Sequence, residues 1–328
     1  MRRREILMAG GALVGATLTS GRLAAADYTV RLAHSLSATE PAHLAAEFFA
    51  KNVTERSAGN VQVSVFPGEQ LGTGKNVNEM IRQGSPVMNL TDPGYLSDYV
   101  PDVGVLNGPY LLKSYRDYDK ILASEWLEEQ DAKLQQAGFR VIAWNCLFGP
   151  RHIIADKPIR TPADVQGMTV RVPPNQMWIQ TFTSMGARPT VVEWAEVYNA
   201  LSQNVVEAAE APLGSLWGSK LHEVKHTLSM TSHFIAWVNL IASEQWFETL
   251  PEDVQQLLLE EGRKAGDEMT RLTLEKQNEY LERFRTAGVT IVEEVDVAAF
   301  QEATTPTYQA FPKWTPGLHG TIQKILAQ

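Results

Sequence analysis

Polar and apolar residues alternate from Tyr28 to Ala33, which reads as a strand opening a domain. Pro41 then starts a helix with Leu44, Phe48, Phe49 and Val53 at helical spacing, and Ala58-Gly59-Asn60 stops it. Alternation returns over Val61 to Phe66, with Val61, Val63 and Val65 on one side and Pro67-Gly68 as the stop. A short helix over Val77 to Ile81, closed by Gly84, precedes a brief apolar strand from Val87 to Leu90. Asp92-Pro93-Gly94 then turns the chain. This β-α-β-α-β succession predicts a mostly parallel sheet covered by helices.

The middle of the chain predicts one long helix from Tyr115 to Ala137, capped by Gly138, and a buried strand from Phe139 to Trp144. Thr161-Pro162-Ala163-Asp164 carries a capping hydroxyl, a proline at the first helical position and an acid three residues on. Strands are predicted over Thr169 to Val172, Val205 to Ala208, Leu228 to Met230 and Phe234 to Ala242, and helices over Met177 to Met185 and Trp194 to Leu201. Thr249-Leu250-Pro251-Glu252 is a capping box opening a very long helix to Thr286, ended by Gly288. A strand over Val289 to Val292 and helices near Val297 to Thr304 and Gly317 to Leu326 finish the chain. No low-complexity linker and no repeat interrupts this order. Two α/β domains crossed more than once by the chain fit that continuity, with the ligand site in the cleft between them. The boundaries fall at 27–148 with about 237–276 for the first domain, and 149–236 with about 277–328 for the second.

Residues 1–26 read as an export signal. Arg2, Arg3 and Arg4 form a charged start, Ile6 to Leu18 is an apolar run, and Ala24-Ala25-Ala26 is a small-residue cleavage pattern. Arg3-Arg4-Glu5-Ile6-Leu7 resembles a twin-arginine signal. The run is short of the roughly 20 apolar residues that span a membrane, so it predicts a periplasmic protein cleaved after Ala26. Composition adds exclusions. A net charge of −9 with no basic block makes a poor binder of nucleic acid or an anionic membrane. The single cysteine, Cys146, rules out an internal disulfide and any cysteine-based metal cluster, and reads as a buried apolar residue.

Motifs for catalysis are weak. His222-Glu223-Val224-Lys225-His226 fits H-E-x-x-H, but it ends a short helix and no third ligand follows at a recognised spacing. A periplasmic zinc hydrolase is therefore only a remote alternative. Gly72-Thr73-Gly74-Lys75 lacks the first glycine of a phosphate loop, and Asn76 replaces its hydroxyl residue. Arginine placement says more. Arg151 ends an apolar strand, and Arg171 lies inside Thr169-Val170-Arg171-Val172-Pro173. A guanidinium buried in a sheet needs an anionic partner, either a carboxylate of the protein or one of a ligand, which its planar fork fits bidentately. Trp144, Trp178, Trp194, Trp217 and Trp237 fall near the predicted cleft, as core or as an aromatic wall.

With these residues in view the sequence resembles the extracytoplasmic substrate-binding proteins of TRAP transporters, the DctP-like family. The words that carry it include Phe66-Pro67-Gly68-Glu69-Gln70-Leu71-Gly72, Gly149-Pro150-Arg151-His152, Thr161-Pro162-Ala163-Asp164-Val165-Gln166-Gly167-Met168 and Val170-Arg171-Val172-Pro173. Met185-Gly186-Ala187-Arg188-Pro189 and Glu207-Ala208-Ala209-Glu210-Ala211-Pro212 follow in order. The resemblance implies a two-domain Venus-flytrap binding protein with mixed sheets and a domain-spanning helix, needing no cofactor and no metal. It would capture a carboxylate solute and deliver it to TRAP permease subunits; with no exposed apolar stripe standing out, the chain reads as a monomer. It further implies that Arg171 pairs with the ligand carboxylate, that Arg151 is the second arginine of the anchor, and that His34, Thr73 and Asp92 hold the ligand's polar body. Trp194 would stack on the ligand, and Asn145 and Glu210 would line the pocket. Ala211 stands where Asn is commoner, which removes one hydrogen bond. Asp92 and His34 opposite two arginines suit a hydroxylated acid such as a uronate or aldonate; an aromatic acid, a 2-oxo acid or a C4-dicarboxylate is the rival. The same fold would also serve a sensor docking on a signalling receptor.

Overall fold

The computed structural model describes residues 26–328. Apart from Ala26, the export-signal reading lies outside the described residues. The first unit consists of β1 (Tyr28–Ala33), α1 (Pro41–Arg56), β2 (Val61–Phe66), α2 (Gly74–Arg82) and β3 (Val87–Thr91). β1 lies between β2 and β3 and is parallel to both, with Leu32 opposite Val65 on one side and Met88 on the other. After α3 (Pro93–Leu96), the long helix expected over Tyr115 to Ala137 is broken. A 3-10 turn at Tyr115–Asp117 leads into α4 (Tyr118–Leu122), then α5 (Glu125–Gln136). Ser124 causes the break: its backbone is extended and its side chain accepts the Leu127 N–H, capping α5.

β4 (Phe139–Ala155) does not stop at Trp144 as expected but runs on through Gly149-Pro150. Its pairing with β9 (Ile235–Ser243) shifts register between Val141 and Ala143, Ala143 and Cys146, and Leu147 and Gly149. Gly149 takes φ +116°, a conformation glycine adopts without strain, so the strand bends there and keeps pairing. The second unit follows: β5 (Thr169–Val172), α6 (Gln176–Ser184), β6 (Arg188–Val191), α7 (Val197–Ser202), β7 (Ala209–Pro212), α8 (Leu213–Gly218) and β8 (Thr227–Ser229). The strand expected over Val205 to Ala208 is a bend with one bridge, Val170 to Ala208, and pairing begins at Ala209. Beyond β9 come α9 (Glu244–Phe247), α10 (Glu252–Thr286), β10 (Thr290–Val292), α11 (Val297–Thr304) and α12 (Leu318–Leu326).

The main sheet has the order β10-β8-β4-β9-β3-β1-β2, with β7 also on β4 and a separate β5-β6 pair. It is mixed: β3 and β4 both run antiparallel to β9. The fold is thus a two-domain α/β architecture whose lobes share the long strands β4 and β9. In the first lobe, α1 and α10 cover one face over Leu32, Phe49, Met88, Leu240 and Leu258. The other face buries Ile81, Leu96, Tyr118, Leu134 and Ile241. α12 also packs there through Leu318 and Ile322, so this helix belongs to the first core and not to the second domain in which the sequence reading placed it. The second lobe has cores around Trp178, Phe182 and Phe234, and around Leu216, Tyr280 and Phe284. α10 serves both lobes, with Leu258 and Met269 in the first and Tyr280 and Phe284 in the second. At 1.5 Å per residue it is a strut of about 50 Å. Cys146 is buried on β4, and burial pushes its thiol up to about 12.

Candidate ligand-binding site

Between the lobes lies a cavity of about 850 Å³, its open mouth included. The first lobe contributes His34, Glu69, Asp92 and Tyr95; the second contributes Arg151, Arg171, Asn175, Trp178 and Trp194. His34 and Asp92 directly follow the C-terminal ends of β1 and β3, where open α/β sheets place their ligands.

Arg171 is 2% exposed. Short β5 carries it, and the Arg171 N–H donates to the Ala208 carbonyl at 2.8 Å, which fixes the backbone. The side chain makes one hydrogen bond among the described residues, from Nε to the Val192 carbonyl at 2.8 Å. The guanidinium lies over the Trp194 ring, 5.0 Å from its centroid. Burial lowers its pKa to about 10, even though Glu210 and Tyr95 act to raise it. It stays a cation at neutral pH, with both terminal amino groups left for a partner. A forked, desolvated cation at a cavity wall is built to receive a carboxylate.

Arg151 is different, because a protein carboxylate already holds it. Nε donates to Glu210 Oε2 at 2.6 Å and Nη2 to Oε1 at 2.7 Å. Trp178 Nε1 donates to Oε1 at 2.9 Å, and His233 Nε2 lies 3.2 Å from Oε2. Burial acts to raise the Glu210 pKa, but the Arg151 charge and these hydrogen bonds outweigh it and hold the carboxyl at about 2. Glu210 therefore sits behind the cavity wall, neutralising and orienting Arg151, and does not line the pocket as the sequence reading expected. The Arg151 guanidinium remains at the cavity, 5.2 Å from the Trp178 ring centroid.

In the first lobe, Asp92 caps α3: Oδ1 accepts the Gly94 N–H at 2.7 Å and Oδ2 the Asn107 amide at 3.3 Å. Burial lifts its pKa to about 7, against the downward pull of the Gly94 N–H, Arg151 and Asn107. His34 lines the cavity, but both ring nitrogens are engaged. Nδ1 accepts the Leu36 N–H at 3.2 Å, and Nε2 is 3.1 Å from His43 Nδ1. Burial and then His43 lower its pKa to about 4, so the ring is neutral. Thr73 caps α2 through Asn76; its neighbours Gly72 and Gly74 reach the cavity. Glu69 also lines the cavity, and burial, with Glu193 nearby, raises its pKa above the ordinary value.

A family model described as bacterial extracellular solute-binding protein, family 7, matches residues 32–313. The chain belongs to this family, DctP. A TRAP periplasmic solute-binding protein from Ochrobacterium anthropi, solved with bound L-fuconate, is 36% identical and superposes with a TM-score of 0.89, covering 92% of this chain and 100% of that one. Its counterpart from Actinobacillus succinogenes 130Z, solved with bound L-galactonate, is 32% identical at a TM-score of 0.89, covering 92% and 99%. The 2,3-diketo-L-gulonate-binding periplasmic protein of Escherichia coli K12 is 28% identical over 280 residues, 85% of each chain. This protein is therefore an extracytoplasmic receptor of the TRAP class, which works with membrane permease subunits, and is not an enzyme.

In this DctP protein Asn145, like Glu210, stands outside the pocket expected of it. Asn145 does not reach the cavity; its amide binds the Arg263 carbonyl at 2.9 Å and Asp267 at 2.8 Å, tying β4 to α10. His222-Glu223-Val224-Lys225-His226 follows its reading: it ends a short 3-10 turn, Leu221–Glu223, ahead of a strand at Thr227–Ser229, and His222 stacks on Trp217 at 4.0 Å. Ala211 lines the cavity without a donor. The sequence reading missed Tyr95, Asn175, His233 and Glu69. Asn175 had a signal, since it caps α6 by accepting the Met177 N–H. His233 had none, because only the fold brings it to Glu210. Asn175 also crosses to the first lobe: a Cβ on Gly94 would stand 1.6 Å from its Nδ2 and 2.8 Å from Asn107 Oδ1. Gly94→Ala is thus expected to hold the lobes apart and weaken ligand binding about tenfold, comparable to a 1–3 kcal/mol overpacking cost. Calorimetric titration reads the affinity, and small-angle scattering reads the wider unliganded particle.

Proposed function

We propose that this protein binds a sugar acid, a polyhydroxy monocarboxylate such as an aldonate or uronate, and delivers it to a TRAP permease. Buried Arg171 carries this reading, because its fork has no carboxylate partner among the described residues and faces the cavity. The carboxylate would dock on Arg171 with Arg151 beside it, and hydroxyls would meet Asp92, Tyr95 and Asn175. The relatives solved with L-fuconate and L-galactonate support a hydroxylated acid. Trp178 donates to Glu210 and sits against Arg151, which leaves it poorly placed to serve an aromatic ligand. Affinity would arise from lobe closure, since the closed form makes contacts on both walls. We further propose cleavage after Ala26, a monomer in solution, and a division of the lobes near 148/149 and 236/237.

The test is thermal unfolding of residues 27–328, first unfolded and refolded free of co-purified ligand, against aldonates, uronates, 2-oxo acids, dicarboxylates and neutral sugars. A ligand at 1,000 times its Kd adds about 4 kcal/mol, a clear upward shift. Sugar acids are expected to give that shift. A shift with neutral sugars alone, or none with any acid, would overturn the reading.

A further inference from the structure

Resting on that reading, we infer that Asp92 is a specificity-determining residue that admits monoanionic polyhydroxy acids and turns away dianions of the same skeleton, such as aldarates. The argument is a charge count along the cavity wall. Two guanidinium groups face it, Arg171 and Arg151, but Glu210 already holds Arg151 through two charge-assisted hydrogen bonds. One positive charge is left uncompensated, and a single ligand carboxylate satisfies it. The first lobe presents the opposite sign. Asp92 and Glu69 both line the cavity, and neither forms a salt bridge among the described residues.

Asp92 is well made to receive a hydroxyl. Its Oδ1 is taken by the Gly94 N–H, and Oδ2 accepts only a long bond from Asn107. Lone pairs therefore remain for a sugar hydroxyl, which donates. A second ligand carboxylate has no proton to donate, and in a site shielded from water two facing carboxylates repel strongly. The ionisable groups around Asp92 do not relieve this: Arg151 is spent on Glu210, Glu210 is itself an anion, and Tyr95 and Tyr118 are neutral, their pKa values pushed up mainly by burial. A dianion can seat only if Asp92 takes up a proton. With a pKa of about 7, Asp92 is ionised at pH 8.5. Forcing protonation there costs about 30-fold in affinity, one decade per pH unit.

The experiment takes the monoacid giving the largest thermal shift and compares it with the diacid in which its terminal CH2OH is a carboxylate. Calorimetry at pH 8.5 is expected to find the diacid at least about 30-fold weaker. In Asp92→Asn, which keeps the size and one acceptor, that ratio should fall at least tenfold. A second measurement needs no variant: at pH 8.5, in buffers of different ionisation enthalpy, diacid binding to the wild type should take up about one proton and monoacid binding none. Equal affinities for the pair in the wild type, an unchanged ratio in Asp92→Asn, or diacid binding without proton uptake would each overturn the inference while leaving the carboxylate receptor intact. Binding of no acid at all would overturn both.

Discussion

Arg171→Ala is expected to weaken sugar-acid binding by two to three orders of magnitude while leaving the empty protein as stable as the wild type or more so. The two effects have one cause. In the liganded protein Arg171 supplies a buried, forked, charge-assisted contact, and truncating one partner of such a pair costs about 3–4 kcal/mol. In the empty protein the same guanidinium is held out of water with one hydrogen bond, to the Val192 carbonyl. Its lowered pKa, about 10 against the usual 12.5, expresses that desolvation. At pH 7 the group lies below both values, so the cost of holding its charge is fully present there. Deleting the side chain relieves it. Titration calorimetry and unfolding of ligand-free protein read the two halves separately. An Arg171→Ala protein that loses affinity and also unfolds several degrees lower would make Arg171 a structural residue. Arg171→Lys should fall between, because it keeps the charge and loses the fork.

Glu210→Ala should be the most damaging single change to stability. Glu210 is fully buried and collects Arg151, Trp178 and His233 at once. His233 is neutral, its pKa lowered by burial despite Glu210, so it is a hydrogen-bond partner and Arg151 is the one counter-charge. Removing the carboxylate leaves that cation buried and unpaired, at a cost of about 3–5 kcal/mol. For a chain of this size that is a fall of roughly 10 °C in Tm. The pH dependence has a fixed sign. The folded pKa of about 2 lies below the ordinary 4.5, so the stabilisation is fully present above 4.5 and drains away as pH falls towards 2. Denaturant unfolding at pH 6 and pH 3 should show a smaller loss on acidification in Glu210→Gln than in the wild type. An equal loss would show that Glu210 does not carry the acid sensitivity.

Local chemistry made most of the elements legible. β1, β2, α1, the long α10 and α11 follow their alternation, helical spacing and stop signals closely. The failures have physical reasons. Ser124 caps a new helix inside an apolar pattern that reads as continuous, because a side-chain cap costs one turn and leaves the stripe undisturbed. β4 outruns its expected end because Gly149 bends the strand where glycine and proline usually stop one. In the site, Arg171 could be read from its apolar neighbours. Its difference from Arg151 could not, since the partner that neutralises Arg151 lies 59 residues away. His34 looked like a polar contact, yet its nitrogens are spent on Leu36 and His43, and a sequence does not show what a donor is already bound to.

The strand order has a consequence for the chain as it is made. β9 lies between β3 and β4, so the first lobe's sheet is missing a central strand until residue 243 has emerged. Until then β3 and β4 each expose an unpaired, apolar edge, the kind of template on which chains aggregate. α10, which covers that sheet, arrives later still. Fragments ending before β9 therefore lack the strand that joins β3 to β4. The nascent protein completes its native pairings late, and a chaperone that shields the edges of β3 and β4 during synthesis would act on its most exposed stage.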